Sequence, residues 1–267
     1  TMEDTEIGLL LASPVLYLTE GSRIVTITLY FDSGSFIQLL QYFKNFAKIT
    51  GKLLQTVSYE LLSDAFVLSF TSSQGWEDVK RYTVKINMED SNIDLKFELS
   101  PVDIAFEVYN SEVHGENYAI EWPIVKVLLN NYSTHNPFSF FRKLIIEWVT
   151  INSDVNGSRD LKLQNNIGNL SPDNPFHPFG SQPSVGSYLD IKNTNIFNRF
   201  TKDFCIKMEW IDLPRNIGGW DDYYKEYHAG ITNESFKVKL SALSHGKFKP
   251  PLSKREEFNL FSVERGE

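Results

Sequence analysis

The run Arg23-Ile24-Val25-Thr26-Ile27-Thr28-Leu29-Tyr30-Phe31 constrains the fold more than any other stretch of the chain. Its residues alternate, so a strand turns Ile24, Thr26, Thr28 and Tyr30 to one side and Val25, Ile27, Leu29 and Phe31 to the other. A strand with one wholly apolar face must be covered. The chain has a single cysteine, Cys205, so no internal disulfide can help and the cover has to come from packing. Apolar residues make up 42% of the 267 and aromatics 14%, which is enough to build it and excludes a disordered chain.

Directly after this run the period changes. Phe36, Leu39, Leu40, Phe43 and Ala47 recur at helical spacing, which predicts one helix over about Ser35–Lys48, with Ser35 as N-cap and Gly51 beyond its end. Leu16–Leu18, separated from the long strand by Thr19-Glu20-Gly21-Ser22, reads as the other arm of a hairpin. Further strands are predicted at Leu53–Leu61, Ala65–Thr71, Arg81–Met88, Ile93–Leu99, Ile124–Leu129, Phe140–Ile151, Leu161–Gln164, Asp203–Ile211 and Phe236–Leu243. Cys205 falls in the alternating Phe204–Met208 stretch and is expected to be a buried structural thiol. The fold class is therefore mainly β, with two β-sandwich-like domains. Residues 1–110 form the first, with the helical insertion. Residues 111–267 form the second, with a long loop rich in Pro, Gly, Ser and Asn over 165–195 and little ladder bonding.

Composition removes several functions. Twenty-six basic residues stand against 34 acidic ones, a net charge of −8, so no nucleic-acid partner is expected. No apolar stretch approaches the ~20 residues that span a bilayer, and Ile7–Leu11 lacks the basic flank of a signal peptide. The opening Thr1-Met2, with Met second, suggests a piece cut from a longer chain. The local signatures of hydrolase, nucleotide, dinucleotide and metal chemistry are absent, so no catalytic residue, cofactor, metal or small-molecule substrate is expected. His114, His135, His177, His228 and His245 all sit beside loop-forming residues and read as solvated. Asp154-Val155-Asn156-Gly157-Ser158-Arg159-Asp160 has the oxygen spacing of a calcium loop, but the strand-like flanks and Asn156-Gly157 favour a hairpin turn. Glu209 beside Trp210, and Asp221-Asp222 beside Trp220, pair acids with aromatics as sugar clefts do. The plainer reading is a core tryptophan and a solvated turn.

The long loop reads Asn174-Pro175-Phe176-His177-Pro178-Phe179-Gly180-Ser181-Gln182-Pro183-Ser184-Val185-Gly186-Ser187-Tyr188. It resembles the P-F-x-P-F-G-x-x-P-x-x-G-S signature of a large baseplate protein of extracellular contractile injection systems, phage-tail-like particles of the antifeeding-prophage type. Ile7-Gly8-Leu9-Leu10-Leu11-Ala12-Ser13-Pro14, Gly75-Trp76 and Glu209-Trp210-Ile211-Asp212-Leu213-Pro214 are similar to other segments of that family in the same order. Members are much longer, so the chain looks like an internal or C-terminal fragment.

The resemblance implies a structural, non-enzymatic role: a wedge-type baseplate component assembled in the cytoplasm with other subunits of the particle. The residues it marks as structural or interface positions are Gly75, Trp76, Pro175, Phe176, Pro178, Phe179, Gly180, Pro183, Gly186, Trp210 and Pro214. Three prolines stiffen the loop and Phe176 and Phe179 offer anchors, either to a partner's groove or back onto the chain's own sandwich. Phe248 with Pro250-Pro251 is a second such segment and reads as a linker. The alternative is a carbohydrate-binding β-sandwich module. It requires at least two coplanar, solvent-facing rings among Trp76, Trp148, Trp210 and Trp220. A hydrolase with dispersed residues is a third option.

Overall fold

A computed structural model of the chain describes residues 6–17, 20–158, 160–194, 196–198, 200–214, 218–227 and 230–261. Arg159, His228 and Leu18 of the expected Leu16–Leu18 strand lie outside them. The chain is mainly β and divides into two compact units, Thr1–Phe204 and Cys205–Glu267.

The first unit runs β1 (Gly8–Ala12), β2 (Ser22–Phe31), α1 (Ser33–Thr50), α2 (Leu54–Leu62), β3 (Phe66–Ser72), β4 (Gly75–Asp78), β5 (Thr83–Asn87), β6 (Asn92–Leu99), α3 (Ser111–His114), β7 (Ile124–Leu129), α4 (Phe138–Phe141), β8 (Ile146–Asn156), β9 (Lys162–Asn165), β10 (Asn169–Leu170) and β11 (Leu189–Lys192). All of its ladders are antiparallel. One four-stranded sheet has the order β1-β7-β3-β4, the other β5-β6-β2-β8, and β9 lies between β10 and β11.

The alternation of β2 is realised along its apolar face, with Thr28 of the other face buried as well. Val25, Ile27, Leu29 and Phe31 are buried, and they share one core cluster with Ile93, Leu95 and Phe97 of β6, Leu68 and Phe70 of β3, and Val125 and Val127 of β7. Helix α1 closes that core with Phe36, Leu39 and Phe43. Its N-cap is Asp32 rather than Ser35: the Asp32 carboxylate accepts the Ser35 N–H at 2.8 Å. Gly51 ends the helix with a φ of 69°, the left-handed conformation that favours glycine.

Several expectations change. The expected boundary between 110 and 111 falls inside the first unit. β7 and β8, which follow it, pair with β1, β3 and β2, which precede it. The Leu16–Leu18 hairpin arm is a 3-10 turn over Pro14–Tyr17, and the partners of β2 are β6 and β8. Leu53–Leu61 is the helix α2, because Val57, Ser58, Leu61 and Leu62 share a helical face that is buried. Phe140 belongs to α4, so β8 begins only at Ile146. Asn156-Gly157 does not turn β8 back onto β9, since β9 pairs with β10 and β11. Asp154 stays in the β8 ladder opposite Ile24, and the described residues contain no cluster of three or more His, Cys, Asp or Glu fit for a metal.

Tyr82 ties α2 to β3. Its hydroxyl accepts the Phe66 N–H at 3.0 Å and donates to the Leu62 carbonyl at 3.1 Å. Burial is the main reason its pKa rises from 10.0 to about 12. The folded state therefore favours the neutral phenol. Its stabilisation is complete below pH 10 and drains away as the pH climbs from 10 toward 12. The expected loss over that window is about 2 kcal/mol after allowance for solvent screening. Urea unfolding at stepped alkaline pH should show the fall. Tyr82→Phe should flatten it while costing about 1–2 kcal/mol at neutral pH, because the Leu62 carbonyl loses its donor.

The second unit carries α5 (Trp220–Tyr224), β12 (Lys237–Lys239), β13 (Ala242–Ser244), β14 (Lys247–Lys249) and β15 (Glu257–Asn259). β12 pairs with β15 and β13 with β14, so the expected Phe236–Leu243 strand is two short ones in separate ladders. Phe248 lies in β14, not in a linker. Trp210, Trp220, Phe236 and Phe261 pack together, with ring centroids 5.2 to 5.6 Å apart. The expected strand Asp203–Ile211 has no ladder, and Cys205 within it is exposed rather than buried.

Candidate functional site

Asn165 ends β9 and is buried. Its Oδ1 accepts the N–H groups of Ile167 and Gly168 at 2.9 and 3.1 Å, which closes the turn into β10. Its Nδ2 donates to the His177 carbonyl at 2.9 Å, inside the proline-glycine loop. Gly180 N–H donates to that same carbonyl at 3.1 Å. One amide side chain therefore fastens the loop to the sheet from which the loop departs. β11 then returns along the other side of β9, so the loop has a ladder at each end and none between.

Two signature glycines, Gly180 and Gly186, occupy left-handed positions of the loop. Gly180 is buried with a φ of 84°, the left-handed region that favours glycine, and a Cβ there would stand 3.0 Å from Ile167 Cδ1, so the Ile167 side chain would have to give way. Phe176, Pro178 and Phe179 are half-buried, while Pro175 is exposed. At the tip, Ser184 N–H donates to Ser187 Oγ at 3.0 Å and Ser187 N–H donates to the Ser184 carbonyl at 2.9 Å. Gly186 completes this reciprocal turn with a φ of 95°. The turn pushes Val185 wholly into solvent at 108% relative exposure, beside exposed Pro183 and Tyr188.

Asn165 closes the Leu161–Asn165 segment but is not among the positions marked from sequence. Its signal is present, an Asx residue three before a glycine, which is the pattern of a side chain that bonds its own turn. Replacing it is expected to free the loop while the sheets stay folded. Asn165→Leu leaves the Ile167 and Gly168 N–H groups and the His177 carbonyl without that partner, at about 2–3 kcal/mol of local stability. Hydrogen exchange read by mass spectrometry should accelerate across 174–181 and leave β2 and β6 unchanged.

The other marked residues lie elsewhere. Gly75 opens β4 with a φ of 113°, and Trp76 follows it. The Trp76 indole donates to the His114 carbonyl at 2.8 Å, its ring is half-buried, and Lys126 Nζ sits 4.3 Å from the ring centroid. His114 is buried, not solvated. It ends α3, stacks on Tyr109, and its Nε2 lies 2.9 Å from the Ser72 carbonyl. A shallow cleft of about 210 Å³ opens beside Trp76, lined by Leu9, His114, Glu116 and Lys126. No hydrogen bond or ring contact among the described residues joins Trp76 to the loop. Trp210 and Pro214 belong to the second unit. Of Trp76, Trp148, Trp210 and Trp220, Trp148 alone is exposed, and its ring stacks on Tyr30 at 4.8 Å.

A family model described as baseplate protein PVC11-like matches residues 33–266. The chain belongs to the PVC11-like baseplate protein family. The match takes in the Gly75-Trp76 step, the whole proline-glycine loop and Glu209–Pro214, and the Ile7–Pro14 stretch precedes it. Among curated proteins none matches the sequence. A PVC11-like baseplate protein is a particle component, which agrees with the resemblance read from the loop. Among the described residues no helix is long and apolar enough to cross a membrane.

Proposed function

We propose that this PVC11-like chain is a non-enzymatic, wedge-type component of a phage-tail-like contractile injection particle. It acts through protein-protein assembly in the cytoplasm, with no nucleic-acid partner and no small-molecule substrate. The observation that carries this reading is the division of labour within the loop. Its base is fixed by Asn165 and Gly180, whereas its tip sets Pro183, Val185 and Tyr188 out in solvent on a rigid turn. An apolar tip on a pre-ordered stalk loses little conformational entropy when a neighbour covers it. It therefore suits docking into another baseplate subunit.

The test is Val185→Asp combined with Tyr188→Ser in cells that assemble the particle. The purified variant should keep the melting temperature of the parent. Its incorporation into baseplates, counted by electron microscopy and quantified by mass spectrometry, should fall at least tenfold. Unchanged incorporation would remove the tip from the interface.

A further inference from the structure

The sheet order places β8 at an edge, and the direction of its backbone groups follows from two bonds. Phe31 N–H donates toward β6, to the Ser91 carbonyl, whereas Asp32 N–H donates toward the β8 side, to the Ile145 carbonyl. Successive residues of β2 therefore alternate, and Ile24, Thr26, Thr28 and Tyr30 face β8. Their register partners are Asp154, Asn152, Thr150 and Trp148. The intervening Val149, Ile151, Ser153 and Val155 consequently aim their N–H and C=O groups away from β2. None of these groups has a backbone partner among the described residues. No residue of this 11-residue strand is buried, and it carries neither proline nor lysine, two common guards of a sheet edge.

The chain also holds a strand without a sheet. Residues 203–210 form no regular element, although Phe204, Ile206, Met208 and Trp210 alternate with polar or small residues. Phe204 and Ile206 are 58% and 42% exposed. Immediately before this stretch, Lys202 Nζ reaches Asn152 Oδ1 of β8 at 3.2 Å. The segment thus departs from beside the open edge. The edge carries Glu147 and Asp154 and no base, while the segment carries Lys207 together with Asp203 and Glu209, and Lys207 pairs with Glu209 at 3.3 Å, so any pairing of the two rests on backbone groups and not on charge.

We infer that two copies of this chain pair by reciprocal strand addition, with Asp203–Ile211 of each copy laid antiparallel along β8 of the other. Because donor and acceptor lie on every copy and the donor starts at the acceptor's side, the exchange closes on itself as a two-fold dimer. The pairing supplies the open groups of Val149, Ile151, Ser153 and Val155 and gives the alternating segment the ladder its sequence calls for. It stands independently of the docking role of the loop tip.

Light scattering and hydrogen exchange on the full chain test this together. The expected result is a monomer that becomes a dimer as concentration rises, with exchange slowed at least tenfold in both 146–156 and 203–211 as the dimer forms. Ser153→Pro removes an outward N–H that β2 does not use, and Ile206→Pro with Lys207→Pro blocks the donor in either register. Each variant alone should stay monomeric. Mixed together they should form a one-to-one pair, since one retains a working donor and the other a working acceptor. A monomer at all concentrations, protection that does not depend on concentration, or dimers that survive both variants would each overturn the inference.

Discussion

Phe43→Ala is expected to lower the unfolding free energy of the first unit by about 3–5 kcal/mol, the usual cost of removing a fully buried aromatic ring. Phe43 is 0% exposed, lies on the inward face of α1, and meets Phe140 edge-on at 5.7 Å. Its loss opens a cavity that neither the sheet behind α1 nor α4 can collapse into without breaking a ladder or a turn. Domains of ordinary stability hold only about 5–15 kcal/mol, so this single change takes a large share of the total. Ile49→Ala supplies the control on the same helix, since Ile49 is 83% exposed, and it should stay within about 0.5 kcal/mol of the parent. Both are read as urea midpoints with the slope of the transition held constant. Equal midpoints for the two variants would mean that α1 does not close the core.

Where a side-chain period was long and consistent, it named the element and its buried face together. β2 and α1 are the examples: Val25, Ile27, Leu29 and Phe31 of β2 and Phe36, Leu39 and Phe43 of α1 are buried, whereas Leu40 and Ala47 are only partly covered and β2 also buries Arg23 and Thr28. α2 was missed for a different reason. Leu53–Leu61 contains Thr56, Val57 and Tyr59, which favour strands by composition, while the spacing of Leu54, Val57, Ser58, Leu61 and Leu62 was helical all along. In this short segment tertiary packing of a spaced face outweighed composition.

Alternation carries a narrower message than it first conveys. It says which side chains share a face, not whether a neighbouring strand exists to pair with. At Asp203–Ile211 the pattern is present and the ladder is not, and Cys205 is exposed as a result. His114 shows the same gap from the polar side. Its loop-like neighbours Asn110 and Gly115 turn out to cap α3, which drives the imidazole inward. The loop was legible as a motif, and the docking role proposed for it rests on the exposed tip. Its fastening was not legible, because the role of Asn165 depends on a carbonyl twelve residues away that only folding brings near.

Gly21→Ala is expected to destabilise the first unit by about 3–4 kcal/mol, and the two sources of that cost can be separated. The first is backbone conformation. Gly21 has a φ of 79°, where an L side chain costs roughly 1–2 kcal/mol. The second is space: a Cβ at Gly21 would overlap the carbonyl oxygen of Asn156, a backbone atom that cannot rotate away. Relieving that overlap means shifting one strand against the other at the Ser22–Asn156 end of the β2–β8 ladder, at about 1–3 kcal/mol more. Gly157→Ala isolates the first source, because Gly157 has a nearly equal φ of 77° and nothing within 4 Å of the added carbon. Gly157→Ala should therefore cost about 1–2 kcal/mol and leave exchange in β8 unchanged. Gly21→Ala should cost more and accelerate exchange at the 153–156 end of the strand. If the two variants melt at the same temperature, backbone strain alone selects glycine at position 21, and the close approach of the strands contributes nothing.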